Sequence, residues 1–208
     1  TPLTSIINYV DLIKKENVSE PTVREYVDVL DRQSARLKKL IEDLLEASKA
    51  STGNVEMHME ACDATVMISQ IVGEYQEKLQ KKNIDIVVNE SEVPANIMAD
   101  GRHLWRVFDN IMTNICKYTQ EHTRVYVDVT DAGDEVNMTF KNISKYPLNI
   151  TSDELMERFV RGDASRNTEG HGLGLSIAQS LTELMGGQLS IAIDGDLFKI
   201  TVAMKKQA

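Results

Sequence analysis

The sequence predicts an α+β protein in which a two-helix hairpin precedes an α/β sandwich. Three observations support this: a long apolar run at four-three spacing, a short polar break at 50–54, and strand-like segments joined as hairpins beside helices after the break. Hairpins beside helices favour an α+β sandwich over a parallel doubly wound sheet. We place the domain boundary at the break, which gives residues 1–50 and 51–208.

The first segment is a predicted helical hairpin. Apolar residues recur at three- and four-residue steps from Leu3, and a second helix starts near Pro21, a residue that suits the first helical turn. Because a hairpin alone cannot bury both apolar stripes, we predict a homodimeric four-helix bundle; packing against the remaining domain is the alternative. The second helix carries a coiled-coil seam at Val23, Val27, Leu30, Ser34, Leu37, Ile41 and Leu44.

The second segment alternates between helical and strand patterns. Asp63 and Asp100 are predicted helix N-caps, and Gly186 is predicted to stop the last helix. A turn at 131–134 joins two of the strands. The strands are predicted at 55–59, 84–88, 125–129, 136–140, 188–193 and 197–204, with a short helix at 153–159 and a charged loop at 161–170.

Composition excludes several classes of protein. With 42% hydrophobic and 26% charged residues the chain is expected to fold, and its net charge of −9 argues against nucleic acid or an anionic membrane as a general partner. Cys62 and Cys116 lack the spacing of a zinc site, and the four histidines are scattered, so no metal cluster is expected.

One predicted helix carries a line of polar residues. Asn110, Asn114 and Lys117 are spaced i, i+4 and i+7, so their side chains share one face. An amide oxygen there could bind Mg²⁺ and the lysine could neutralise phosphate oxygens. The alternative is a solvated helix face.

A glycine-rich loop precedes the last predicted helix. Gly170, Gly172 and Gly174 would leave backbone N–H groups and the positive helix end open to a phosphate. A dinucleotide fingerprint is disfavoured because the charged segment 161–169 before the loop is no buried strand. Arg161 and Arg166 in that segment could contact phosphates as part of a lid, while flexible linker glycines and solvated arginines are the alternatives.

In their order along the chain, these motifs resemble those of bacterial sensor histidine kinases. Residues 110–119 are similar to the N box, 157–161 to the F box, 170–178 to the second glycine box, and 1–6 to the residues after the phospho-accepting histidine. The resemblance covers nearly the whole chain. It implies a dimerising hairpin followed by a Bergerat-type ATPase sandwich, the fold shared with gyrase, a heat-shock chaperone and MutL.

The resemblance implies that the chain binds Mg-ATP. Asn114 is implied to hold Mg²⁺, with Asn110 and Lys117 contacting metal or phosphates. The other implied nucleotide contacts are Tyr118, Asn142, Phe159, Arg161, Arg166, Gly170, Gly172, Leu173 and Gly174.

The chain departs from the family pattern at two places. The family's accepting histidine lies four residues before the position of Thr1, so autophosphorylation at that site is not expected of this chain. Thr1 itself matches a threonine implied to position water for dephosphorylating the partner. Asn142 and Ser144 stand where the family usually has Asp-x-Gly at the adenine, so adenine recognition is expected to be altered; an ordinary strand-end role for Asn142 is the alternative.

The function implied by the resemblance is transfer of the ATP γ-phosphate to a histidine on the hairpin and then to an aspartate of a response-regulator receiver domain. The chain would then be the cytoplasmic part of a larger membrane-anchored sensor. Two alternatives remain open: a degenerate, non-catalytic module that dimerises and docks partners, and another ATPase of the same superfamily.

Overall fold

The computed structural model describes residues 1–14, 19–53, 55–90, 95–148, 155 and 172–207. The chain forms two compact units, Thr1–Glu46 and Ala47–Ala208. The helix predicted at 153–159 lies outside the described residues except for Leu155, and the loop predicted at 161–170 lies wholly outside them.

The first unit confirms the predicted hairpin. Helix α1 spans Pro2–Ile13 and helix α2 spans Glu20–Ser51, running from the first unit into the second. The rings of Tyr9 and Tyr26 meet edge to face at 5.3 Å and join the two helices. On the predicted seam of α2, Val27, Ile41 and Leu44 are each at least 50% exposed in the single chain.

The second unit contains three helices and seven strands among its described residues. The helices are α3 Ala64–Gln80, α4 Gly101–Tyr118 and α5 Gly174–Leu184. The strands are β1 Glu60–Asp63, β2 Asp85–Asn89, β3 Asn96–Ala99, β4 Arg124–Asp131, β5 Glu135–Ile143, β6 Gln188–Asp194 and β7 Leu197–Lys205.

Five strands form the main sheet, in the order β2-β4-β5-β7-β6. Only the β2–β4 pair is parallel; the β4–β5, β5–β7 and β6–β7 pairs are antiparallel. The predicted hairpins are therefore confirmed, and a doubly wound parallel sheet is excluded. No helix in the described part of the chain has the length and apolar character needed to cross a membrane.

The core lies on one face of the main sheet, because strand side chains alternate between faces. On β5, Val136, Met138 and Phe140 are each no more than 1% exposed. Helix α4 packs over this row, with the ring of Phe108 centred 5.9 Å from that of Phe140. The even-numbered positions of β5 therefore face the core, and residue 142 belongs to this row.

The strand predicted at 55–59 is wrong. The strand instead comprises Glu60–Asp63, which pairs with a strand that the pattern did not predict, Asn96–Ala99. Val55 and Met57 are partly buried against the core, whereas Met59 on the same alternation is 41% exposed. The backbone N–H of His58 donates to Asp100 Oδ2 at 2.8 Å rather than to a neighbouring strand, and alternation alone cannot distinguish these partners.

Both predicted helix N-caps are confirmed. Asp63 accepts from the backbone of Thr65 and Val66 at the start of α3, and Asp100 accepts from Arg102 and His103 at the start of α4. The last helix ends as predicted, because Gly186 adopts a φ of +77° that most side chains disfavour.

Candidate functional site

Helix α4 fixes the predicted polar line against the core. Its apolar face buries Leu104, Phe108 and Ile111, each no more than 1% exposed. This burial sets the rotation of the helix, and Asp100 sets its first residue. The polar residues of α4 therefore have a defined direction, away from the buried stripe.

Asn110 meets the start of α5. A Cβ added at Gly174, the first residue of α5, would lie 3.4 Å from Asn110 Oδ1, so glycine allows the two elements to approach closely. Asn110 Nδ2 is buried and has no hydrogen-bond partner among the described residues. A buried amide without a partner costs about 1–3 kcal/mol, so this atom marks a position where a ligand group could be accommodated.

The N-terminus of α5 lacks a side-chain cap. Its N-cap residue is Leu173, which is apolar and makes no capping hydrogen bond. Gly172 before it has a φ of +69°, a conformation that glycine adopts without strain. Leu173 itself is 1% exposed and packs in the core, so its backbone rather than its side chain is available to the predicted site.

The remaining predicted residues of α4 follow on the same helix. Asn114 and Tyr118 are half-buried and Lys117 is exposed. Within the described part of the chain the Asn114 side chain has no hydrogen bond, unlike Lys117, which has an interaction partner. Burial raises the pKa of the Cys116 thiol more than the charges of Lys82 and Lys78 lower it, so this neighbour stays uncharged.

Asn142 lies at the end of β5, on the core-facing side of the strand. It is 4% exposed, and its side chain has no hydrogen bond to any described residue. Ser144 pairs with Thr119, the residue after α4, in an isolated antiparallel bridge. The second unit therefore joins the end of the polar helix to the altered Asn142–Ser144 segment.

The sequence pattern did not identify Thr119 as a candidate site residue. It is 2% exposed, and its Oγ1 atom has no hydrogen-bond partner among the described residues. Its place as the last residue of the N-box-like motif 110–119 was the available signal, but a threonine at the end of a helix ordinarily indicates a local cap. Only the bridge to Ser144 connects it with Asn142.

Of the other predicted site residues, one belongs to the first unit and four lie outside the described residues. Thr1 belongs to the first unit, where its Oγ1 accepts from Thr4 N at 3.2 Å as the N-cap of α1. Phe159, Arg161, Arg166 and Gly170 lie outside the described residues. No cluster of three or more His, Cys, Asp or Glu side chains that could hold a metal occurs in the described ranges.

The described residues fit a Mg-nucleotide. At one end, the uncapped first turn of α5 and the unpartnered amide of Asn110 suit phosphate oxygens. Asn114 supplies an amide oxygen, and Mg²⁺ is usually held by few protein oxygens together with phosphates and water. At the other end, the Asn142 amide and the Thr119 hydroxyl supply polar groups suited to a base.

Comparison with known families agrees with this geometry. Residues 99–206 match the family "Histidine kinase-, DNA gyrase B-, and HSP90-like ATPase", and residues 1–53 match the "His Kinase A (phospho-acceptor) domain". The sensor protein VanSC of Enterococcus gallinarum is 28% identical over 213 residues, covering 100% of this chain and 58% of that protein. The chain spans about half the length of the curated relatives it matches.

Solved structures show the same fold. Full-length ShkA in complex with AMPPNP has a TM-score of 0.74 at 20% identity, covering 100% of this chain and 44% of that one. Histidine kinase ThkA in complex with the response regulator protein TrrA has a TM-score of 0.75 at 20% identity, covering 100% of this chain and 58% of that one. With a phospho-acceptor domain followed by the ATPase domain, the chain belongs to the sensor histidine kinases.

Proposed function

We propose that this chain binds Mg-ATP between α4 and the start of α5 and serves in phosphoryl transfer from ATP to a histidine. The observation that carries the proposal is the buried Asn110 Nδ2 atom, unpartnered among the described residues, beside the uncapped N-terminus of α5. An amide donor and free backbone N–H groups are what a phosphate accepts from, and a helix N-terminus adds positive potential.

The individual roles follow from the position of each group. Asn114 would hold Mg²⁺, and Asn110 and Lys117 would contact metal or phosphate oxygens. Tyr118 would line the nucleotide pocket, and Asn142 would contact the base. When bound, Mg²⁺ would neutralise phosphate charge. The residues of the chain would supply orientation and charge neutralisation, which dominate catalysis of phosphoryl transfer.

The lid residues are part of the same proposal. Arg161 and Arg166 would approach the phosphates, Phe159 would support the lid, and Gly170, Gly172 and Gly174 would let it close. These assignments rest on the motif resemblance, supported in the described residues by the left-handed Gly172 and by the close approach of Gly174 to Asn110.

The hairpin would supply the nucleophile and the dimer contact. We retain the homodimeric four-helix bundle, supported by the exposed seam residues Val27, Ile41 and Leu44. The domain boundary at 50–54 stays a prediction. The accepting histidine would lie four residues before Thr1, and Thr1 would position water when the partner is dephosphorylated. The phosphoryl group would pass to an aspartate of a response-regulator receiver domain, as part of a membrane-anchored sensor with this portion in the cytoplasm.

A non-catalytic docking module is the second candidate, because Asn142 and Ser144 replace the usual base-binding residues. Calorimetry with ATP in the presence and absence of Mg²⁺ separates the two. We expect Mg-dependent binding by the chain and at least tenfold weaker binding by Asn114→Ala, since charge-assisted contacts contribute about 1.5–3 kcal/mol.

Asn137→Ala is the matched control for this experiment. Asn137 occupies an odd position of β5, so it faces away from the core and from Asn142. This variant should bind Mg-ATP as the unaltered chain does. Absence of Mg-dependent binding by the unaltered chain, or equal affinities of the Asn114 variant and the chain, would favour the docking module.

A further inference from the structure

Asn142 is an unusual residue for its position. It continues the core-facing row of β5 after Val136, Met138 and Phe140, and its register partners on the neighbouring strands are Val125 and Phe198. The residue is 4% exposed, yet its carboxamide has no hydrogen bond to any described residue. Its amide atoms are not among the fully buried atoms without a partner in the described part of the chain, so they keep contact with solvent and are open to a ligand.

A second unsatisfied group lies on the same side of this corner. Thr119 pairs with Ser144, and residues 142 and 144 share a strand face because side chains alternate. Thr119 is 2% exposed, and its Oγ1 atom has no partner in the described part of the chain. Two nearly buried polar residues with spare hydrogen-bonding capacity therefore lie on the same face at this corner.

The hydroxyl of Ser144 does not take part. It donates to the carbonyl of Tyr146 at 2.7 Å and accepts from the backbone N–H of Tyr146 at 3.3 Å. The backbone N–H of Ser144 donates to Asp196 O at 2.7 Å, which fixes the segment. The spare groups at this corner are thus the carboxamide of Asn142 and the hydroxyl of Thr119.

The chemistry of these two groups determines which bases they can bind. An ionised carboxylate only accepts hydrogen bonds, whereas a carboxamide offers one acceptor and two donors, and a hydroxyl offers both functions. Adenine presents an amino donor at C6, and guanine and hypoxanthine present an oxygen acceptor there. A carboxamide complements either edge after a half-turn of its terminal group, but a carboxylate would meet the 6-oxygen with repulsion.

We propose that Asn142 and Thr119 form a base-reading pair that accepts 6-oxopurine nucleotides as well as adenine nucleotides. This inference rests on the proposed function, because it requires a nucleotide whose phosphates occupy the Asn110–Gly174 end. It assigns a broadened purine specificity to this chain, and it gives a function to the Asn142 carboxamide, which has no hydrogen bond to a described residue.

The test compares Mg-ATP with Mg-ITP by calorimetry on the whole chain. The unaltered protein should bind both within about tenfold, a free-energy difference of about 1.4 kcal/mol. Asn142→Asp should retain ATP and weaken ITP roughly 10- to 100-fold, because an acceptor then faces the 6-oxygen. Asn137→Asp makes the same substitution on the opposite face of β5, and its ratio of ATP to ITP affinity should be unchanged.

The outcomes distinguish this inference from the function on which it rests. If the unaltered chain binds neither nucleotide, the proposed function fails and the inference with it. If the chain binds ATP but rejects ITP, or if Asn142→Asp leaves the affinity ratio unchanged, the inference fails while the proposed function stands. The comparison of ATP with ITP on the unaltered chain tests the inference even if the Asn142 variant does not fold.

Discussion

Replacement of Asp100 by alanine should destabilise the second unit more than the loss of an ordinary helix cap does. The Asp100 carboxylate accepts hydrogen bonds from the backbone of Arg102 at 3.0 Å and of His103 at 3.1 Å, which caps α4. It also accepts from His58 N at 2.8 Å and so holds the segment before β1. The residue is 3% exposed, so solvent weakens these bonds little.

The lowered pKa of Asp100 gives the size of the expected destabilisation. Burial alone would raise it, but the backbone N–H groups of His58 and His103 and the His103 ring, with Nδ1 3.0 Å away, lower it from 3.8 to about 2. Because one pKa unit corresponds to about 1.4 kcal/mol, ionised Asp100 stabilises the fold by about 2 kcal/mol. Because the same hydrogen bonds cap α4 and pair the His58 N–H, Asp100→Ala should cost about 2–4 kcal/mol at pH 7.

The direction of the pH dependence follows from the lowered pKa. The stabilisation is fully present above the unfolded pKa and is lost as the pH falls toward the folded pKa. Between these two values, at pH 3, about half of the charge-dependent part should remain. The free-energy difference between the unaltered chain and the variant should therefore shrink between pH 5 and pH 3.

Urea unfolding followed by tryptophan fluorescence measures this effect, because Trp105 is the only tryptophan and lies on α4. Asp63→Ala is the matched control. Asp63 caps α3 through the backbone of Thr65 and Val66, and its loss should cost about 1 kcal/mol. The reasoning is refuted if the Asp100 variant is no less stable than the Asp63 variant at pH 7, or if its deficit is the same at pH 5 and pH 3.

Two further predictions concern packing and assembly. A Cβ added at Gly187 would lie 2.5 Å from Ala203 O, so Gly187→Ala should lower the free energy of unfolding in urea by about 1–3 kcal/mol. At Gly73 nothing lies within 4 Å of an added Cβ, so Gly73→Ala should raise this free energy slightly. Ile41→Glu should convert a dimer into a monomer in sedimentation equilibrium, because it puts a charge on the seam, and Lys39→Glu off the seam should not. A chain that is already monomeric at micromolar concentration would contradict the bundle.

The helices were predictable from sequence because their signals are local. A cap is a side chain two or three residues from the N–H it accepts, so Asp63 and Asp100 could be assigned without the fold. The same holds for the polar face of α4, since i and i+4 positions align whatever the helix packs against. The strands at 125–129 and 136–140 were found but extend further, to Arg124–Asp131 and Glu135–Ile143, because pairing with a neighbour lengthens them.

Contacts between residues distant in sequence determined the features that the sequence pattern could not predict. Alternation placed a strand at 55–59, while the pairing between Glu60–Asp63 and Asn96–Ala99 put it later, since a strand needs an available neighbour. Nothing in the sequence indicated that residue 142 faces the core. That followed from the register of β5 against β4 and β7.

The sequence by itself determined the family motifs, their order and the helices that carry them, because each of these depends on residues a few positions apart. The tertiary structure alone decided that Asn110 meets Gly174 and that Thr119 pairs with Ser144. These contacts join residues more than 20 positions apart in the chain. Only the burial of a shared core brings such residues together, and that burial makes an unpaired amide informative.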